Sequence, residues 1–305
     1  MANWTTSPRP SSSIPRNLDP KTIRQLFNEG TRLLKAVPHP ALEASVLLSH
    51  VASLDEQDFY SDPGARLPGK IEGRFLGLIR KRLAGYPLDH LTGRKEFWSL
   101  PFKVGPGVLV PRPETELVVE KAIELAAGRR LSILDVGTGS GNIAIVLSRE
   151  LPLARITAVD ISARALKIAR ANAAVLDAAG VRFVRSNLFS AFGRTRPLFD
   201  VIVSNPPYVS RREWTELATE VRDHEPKRAL VGGDKGTEFI GKLIRQAHRF
   251  LRSGGRLVME IGAGQKDDVR ALIGDGWDEI EFARDLAGVP RVVAARRRHA
   301  RPTSS

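Results

Sequence analysis

Ile133-Leu134-Asp135-Val136-Gly137-Thr138-Gly139-Ser140-Gly141-Asn142 is an apolar run that empties into three alternating glycines. Glycine tolerates positive φ and carries no Cβ, so the run predicts a buried strand ending in a tight turn before a helix. In open α/β sheets such a turn presses its amides against a ligand at the carboxyl end of the first strand. A dinucleotide site wants glycines in the order G-x-G-x-x-G, but here the sixth position is Asn142 and NAD or FAD is disfavoured. About 20 residues on, a second apolar run ends in Ala158-Val159-Asp160, where a carboxylate can accept hydrogen bonds from ribose hydroxyls. The expected ligand is therefore an adenosine without an obligatory pyrophosphate, which points to S-adenosylmethionine. Its contacts fall to Gly137, Thr138, Gly139, Ser140 and Gly141 in the turn and to Asp160 on the ribose.

Working outward, strands are predicted over residues 131–136, 155–159, 181–184, 199–203 and 256–261, with helices after Gly141 and over 162–176. This alternation is the signature of a doubly wound, mostly parallel, Rossmann-like sheet. Upstream, Asp19-Pro20 reads as a helix start, with a buried face of Ile23, Leu26, Phe27, Leu33, Leu34 and Val37 stopped by Pro38. A second helix from Pro40 through Leu42, Val46 and Leu47, and a third through Ile71, Phe75, Leu78, Ile79 and Leu83, complete a small helical domain. After Gly85 the pattern of Phe97, Leu100, Phe102 and Val104 among glycines and prolines suggests a hairpin. The expected organisation is a disordered leader (1–17), a helical domain (18–88), a connector with a hairpin (89–112), the sheet domain (113–298) and a tail (299–305).

Strand 199–203 runs into Ser204-Asn205-Pro206-Pro207-Tyr208, the most specific signal in the chain. Two prolines remove two amide donors and stiffen the turn, so that the Asn205 side chain and nearby carbonyls keep a fixed outward orientation. The substrate suited to such a loop is a nitrogen whose lone pair is delocalised, as in an amide or an aromatic amine. If the Asn205 oxygen and the Pro206 carbonyl each accept one of its hydrogens, the remaining lobe faces an electrophilic methyl group. No general base is needed, because the proton can leave after the methyl arrives. Pro207 shapes the same loop, and the Tyr208 ring is expected to lie on the planar substrate and exclude water. Asn205, Pro206 and Tyr208 are the candidate catalytic residues, and Asn205 also adjoins the cofactor.

The chain has 305 residues, 42% of them hydrophobic, enough for a large domain plus a small one. It contains no cysteine, which excludes disulfides, a thiol nucleophile and thiolate metal sites. Its six histidines are dispersed and none has the spacing of a zinc pair, so no metal is expected. No stretch approaches a membrane span or a secretory signal, and a cytoplasmic location is expected. A net charge of +13 biases the protein toward acidic partners without defining a site. The densest basic run, Arg296-Arg297-Arg298-His299 with Arg301, reads as a fraying tail.

Three further segments give the chain a family likeness. Pro87-Leu88 with His90-Leu91-Thr92-Gly93 and Glu96-Phe97-Trp98, the segment Val108-Leu109-Val110-Pro111-Arg112-Pro113-Glu114-Thr115-Glu116, and Val221-Arg222 with Glu225-Pro226 and Ala229-Leu230 together resemble the HemK/PrmC family of protein glutamine methyltransferases. The resemblance runs from about residue 20 to 297. It implies a class I methyltransferase fold with a helical N-terminal domain that recognises peptide-chain release factors. It further implies methylation of the side-chain nitrogen of the glutamine in their Gly-Gly-Gln motif, with S-adenosylhomocysteine as product. Arg112 and Glu114 are hallmark positions near the pocket. Where the family commonly has an aspartate after the third strand, expected to meet the adenine amino group, this chain has Asn187, followed by Leu188. Asparagine keeps a carbonyl acceptor and loses the charge.

Two other activities share parts of this pattern. A ribosomal-protein glutamine methyltransferase would be expected to replace Glu114-Thr115-Glu116. A nucleic-acid methyltransferase acting on adenine or guanine amino groups could use the same Asn-Pro-Pro-Tyr loop. The N-terminal segment lacks the basic and aromatic stripe of single-strand binders, so direct nucleic-acid binding is not expected. A binding protein that keeps the cofactor only for structure is disfavoured by intact Asn205, Pro206 and Tyr208.

Overall fold

Residues 19–126, 128–193 and 197–299 are described by a computed structural model, which divides between Ala84 and Gly85 into two units. The expected leader, and the tail beyond His299, lie outside the described residues.

The first unit is helical: α1 (Ile23–Leu33), α2 (Pro40–Ala52), α3 (Glu56–Ser61) and α4 (Gly69–Leu83). Helix α1 starts not at Asp19-Pro20 but at Thr22, whose side chain accepts the Gln25 N–H while Gln25 accepts the Thr22 N–H. Such a reciprocal capping box satisfies two otherwise orphaned donors, and that decides the boundary. The buried face is Ile23, Leu26, Gly30 and Leu34, whereas Leu33 is exposed, as are Leu42 and Leu83, because a narrow stripe suffices in so small a unit. Gly30 admits the Phe75 ring of α4, whose Cζ would lie 2.5 Å from a Cβ there. Between α2 and α4, Arg82 donates to buried Glu43, Nη2 to Oε1 at 2.9 Å.

The second unit opens with α5 (Leu88–Thr92) and the hairpin of β1 (Arg94–Phe97) and β2 (Leu100–Lys103), closed by Trp98 and Ser99 at φ 54° and 55°. Two consecutive residues of positive φ match the right-handed strand twist. A 3-10 turn at Pro113–Thr115 leads into α6 (Glu116–Ala126). Then come β3 (Ser132–Val136), α7 (Asn142–Glu150), β4 (Arg155–Asp160), α8 (Ala163–Val175), β5 (Arg182–Arg185) and β6 (Phe199–Ser204). A surface excursion carries β7 (Val209–Ser210), α9 (Arg211–Glu216), α10 (Thr219–His224), α11 (Lys227–Leu230) and β8 (Val231–Gly233). The chain closes with α12 (Glu238–Phe250), β9 (Leu251–Glu260), α13 (Lys266–Ile273), β10 (Trp277–Arg284) and β11 (Pro290–Arg297).

Seven described strands form one sheet in the order β10-β11-β9-β6-β3-β4-β5. Neighbours from β9 to β5 are parallel, and β11 runs antiparallel to both β9 and β10. Successive residues of a strand point to opposite faces, and here both faces are apolar. Ile133, Val201 and Val203 pack with Val118, Val119 and Ala122 of α6, while Leu134, Val136 and Ile202 pack with Ile240, Leu243 and Ile244 of α12. The expected doubly wound sheet is thus present. Its antiparallel edge places Arg296 and Arg297 in β11 instead of a fraying tail, with Arg296 paired to Asp278 and Glu279 at 2.8 and 2.7 Å. The segment Val292 to Ala295 is buried on both faces and half alanine, so it carries neither strand alternation nor strong hydrophobicity to announce itself.

From β3 the chain winds outward through β4 to β5, then returns to the other side of β3 as β6. Such a reversal opens a crevice beyond the carboxyl ends of the two central strands. Gly137 follows β3 and Asn205 follows β6, so both sequence signals meet there.

Candidate active site

In the turn after β3, Gly137, Gly139 and Gly141 have φ of 79°, 56° and 86°, a region costly for residues with a Cβ. The Gly137 and Thr138 amides donate to the Val159 carbonyl at 2.9 and 3.0 Å, which ties the turn to β4. At Gly141 a Cβ would lie 3.0 Å from both Ala169 Cβ and Ile145 Cδ1, so α7 and α8 close on it. Thr138 and Ser140 are buried behind the turn: Thr138 Oγ1 donates to Asp135 Oδ2 at 2.6 Å, and Ser140 Oγ to Asn142 Oδ1 at 3.1 Å. Burial pushes the Asp135 carboxyl up to about 7 against that hydrogen bond. Asp160 accepts the Gly139 N–H on Oδ2 (3.0 Å) and the Ser162 N–H on Oδ1 (2.8 Å). Each oxygen keeps a second lone pair for a ligand hydroxyl. Desolvation raises the Asp160 pKa, opposed by those amides and by Arg228.

The crevice is a cavity of about 550 Å³, within the range of small-molecule sites. Gly137, Gly139 and Asp160 line one side, Asn187 and Leu188 another, and Asn205, Pro206 and Pro207 a third. Asn187 is exposed at the rim, and Leu188 is buried with φ 52°. Glycines without side chains at the floor, a carboxylate with spare lone pairs and an apolar wall fit an adenosine without an obligatory pyrophosphate. Val108, Leu109, Pro226 and Ala229 close it from segments that the sequence flagged by resemblance. Glu225 holds those segments together, accepting the Val110 N–H at 3.2 Å and Arg112 Nη2 at 2.6 Å. Arg112 is therefore an anchor of the cavity wall.

At the end of β6, Ser204 Oγ donates to the Val136 carbonyl at 2.7 Å and locks the two strand ends together. Asn205 Nδ2 donates to Thr115 Oγ1 at 2.9 Å, Thr115 Oγ1 donates to Glu260 Oε2 at 2.6 Å, and Tyr208 Oη donates to Glu260 Oε1 at 2.9 Å. Glu260 is 1% exposed, and burial pushes its carboxyl up to about 7, with Thr115 and Tyr208 pulling the other way. The Tyr208 phenol is held above its ordinary range by burial and then by Glu260, so it stays protonated. Gln265 Nε2 donates to the Tyr208 carbonyl at 2.8 Å, and a Cβ on Gly262 would come within 3.2 Å of the ring.

The fold thus gathers Gly137, Gly139, Asp160, Asn187, Leu188, Asn205, Pro206 and Pro207 around one cavity and keeps Thr138, Ser140 and Gly141 behind its floor. Sequence reasoning missed Thr115 and Glu260. Thr115 directly follows the hallmark residue Glu114. Glu260 had a signal of its own, since a carboxylate ending the apolar run Leu257-Val258-Met259 occupies the same kind of strand end as Asp160.

A turn of this design at the switch point of such a sheet defines a class I methyltransferase. The Methyltransferase small domain family matches residues 114–234, and the PrmC N-terminal domain matches residues 25–93. A methyltransferase from Pyrococcus furiosus has the same fold, with a TM-score of 0.51 at 20% identity, covering 72% of this chain and 98% of that one. The release factor glutamine methyltransferase of Koribacter versatilis is 42% identical over 286 residues, 93% of this chain and all of the relative. That of Chlorobaculum tepidum is 42% identical over 269 residues, 84% of this chain and 90% of the relative. The chain belongs to the release factor glutamine methyltransferase family.

Proposed function

We propose that this protein transfers a methyl group from S-adenosylmethionine to the side-chain amide nitrogen of the glutamine in the Gly-Gly-Gln motif of peptide-chain release factors. The observation that carries the reading is Asn205 at the cavity wall, its nitrogen end engaged by Thr115 and its oxygen end left for a substrate N–H. The cofactor, when bound, supplies an electrophilic methyl on sulfonium. Gly137 and Gly139, which have no side chains and let the cofactor approach the backbone, and the free lone pairs of Asp160 hold the nucleoside; Asn187 and Leu188 receive the adenine. Thr138, Ser140 and Gly141 maintain the shape of the floor.

Asn205 Oδ1 and the Pro206 carbonyl accept the two N–H groups of the substrate amide, so its nitrogen is presented with the lone pair toward the methyl. The new N–C bond forms as the S–C bond breaks, and the surplus N–H proton is lost to solvent afterwards. Pro206 and Pro207 keep these acceptors rigid. Tyr208, which is not among the residues that line the cavity, stays neutral, its proton directed at Glu260. The helical unit serves release-factor recognition, in keeping with the PrmC N-terminal match over residues 25–93. A substrate in the translation machinery accords with a cytoplasmic site of action, and no helix among the described residues is long and apolar enough to cross a membrane.

The test is mass spectrometry of purified release factor incubated with the protein and S-adenosylmethionine. The mass of one added methylene confined to the Gly-Gly-Gln glutamine is expected. An unmodified release factor, with labelling of RNA or a ribosomal protein in the same extract, would replace this reading.

A further inference from the structure

Resting on that reading, we propose that Glu260 and Thr115 are positioning residues which decide which end of the Asn205 amide faces the substrate. The two ends of a carboxamide are nearly equal in size, so packing alone does not choose between them; hydrogen-bond polarity must. Glu260 ends β9, buried, and accepts from Thr115 Oγ1 on one oxygen and from Tyr208 Oη on the other. A threonine hydroxyl has a single proton. Once that proton points at the carboxylate, only lone pairs remain toward Asn205, and only the NH2 end of the amide can meet them. The oxygen end is then turned outward, where a substrate N–H needs an acceptor. The orientation of the reacting loop is thus set two hydrogen bonds away, by a group that does not line the cavity.

The same chain of bonds ties the loop to ionisation. The titratable and charged groups acting on Glu260 are Tyr208 from the loop after β6, Glu114 from the 3-10 turn and Arg291 from β11, and Arg112 acts on Tyr208. Burial and then Glu114 raise the Glu260 pKa to about 7, while Thr115, Tyr208 and Arg291 oppose them. When Glu260 takes up a proton it becomes a donor on one oxygen, and the bond to Thr115 or to Tyr208 must reverse or break. A reversed Thr115 sends its own proton toward Asn205 and draws the amide oxygen inward. Turnover therefore rises with pH through about 7, as the carboxylate forms. In Glu260→Gln the shape is kept, but one end of the new amide must donate, and the polarity of the chain is no longer imposed.

The experiment measures kcat against pH for release-factor methylation by the wild type, Glu260→Gln, Thr115→Val and Thr115→Ser, with calorimetric S-adenosylhomocysteine affinity for each. Glu260→Gln and Thr115→Val are expected to lose kcat by about 10- to 100-fold, the scale of a misplaced reacting group, with cofactor affinity within about threefold. Thr115→Ser recovers most of what Thr115→Val loses. The acidic limb near pH 7 disappears in Glu260→Gln. A Glu260→Gln enzyme with wild-type kcat, or an unchanged acidic limb, or matching losses in kcat and cofactor affinity, each overturns the proposal. A wild type that leaves the release factor unmodified overturns the functional reading and the proposal with it. An active wild type with indifferent variants overturns the proposal alone.

Discussion

The two turns that meet at the switch point, residues 137–141 after β3 and residues 205–208 after β6, are built by opposite means. The first works by omission: three glycines at positive φ free its backbone, and its side chains Thr138 and Ser140 turn inward to hold it. The second works by addition: two prolines stiffen it, and Asn205 and Tyr208 are wired to a buried carboxylate, Asn205 by way of Thr115. A turn that binds a large cofactor over many atoms needs close approach and tolerates small errors in any one contact. A loop that aims a single nitrogen needs one side chain in one orientation, and the energy of holding it is spread over a network. Affinity should therefore live in the first turn and turnover in the second.

The sharpest way to break that contrast is Asn205→Ala. We expect kcat to fall about 100- to 1,000-fold, the usual loss for removal of one preorganised polar group at a reacting centre, with S-adenosylhomocysteine affinity within about threefold. Equal losses by stopped-flow turnover and calorimetry would mean that the second turn also carries affinity. On the other side, Asp160→Ala leaves the Gly139 and Ser162 amides unpaired and removes the proposed ribose acceptor. Cofactor affinity should drop about 10- to 100-fold while kcat at saturation changes far less. A mainly kcat defect would reverse the division of labour.

Gly141→Ala probes the backbone of the first turn. Its methyl must fit 3.0 Å from Ala169 Cβ and Ile145 Cδ1 at φ 86°, and a loss of about 1–3 kcal/mol is expected in denaturant unfolding. An unchanged midpoint would show that α7 and α8 can part without cost. The smallest effect is expected from Asn187→Asp, at an exposed rim position where a charge is well solvated. Activity should persist and S-adenosylhomocysteine affinity change less than about tenfold, because both side chains present an acceptor. Abolished cofactor binding would remove Asn187 from the adenine contact.

Much of the candidate site was legible because its residues are contiguous in the chain. Residues 137–141 and 205–208 each follow an apolar strand, and glycine or proline in such a place serves few purposes besides shaping a turn. Asp160 was legible for the same reason, as a carboxylate at a strand end. The helical start at Thr22 was obscured by Asp19-Pro20, an equally good local signal. Strand β11, next to the sheet edge, was obscured by composition, since alanine and arginine mark no strand.

By itself the sequence determined the doubly wound sheet, the two turns and the family, because strand alternation, glycine spacing and the Asn-Pro-Pro-Tyr loop are local patterns with strong steric meaning. Only the tertiary structure decided what Thr115, Glu225 and Glu260 do. Thr115 and Asn205 are 90 residues apart, Thr115 and Glu260 145, and Arg112 and Glu225 113. Hydrogen-bond polarity in a buried chain of donors and acceptors depends on which groups the fold places in contact and removes from water, and no local pattern encodes that.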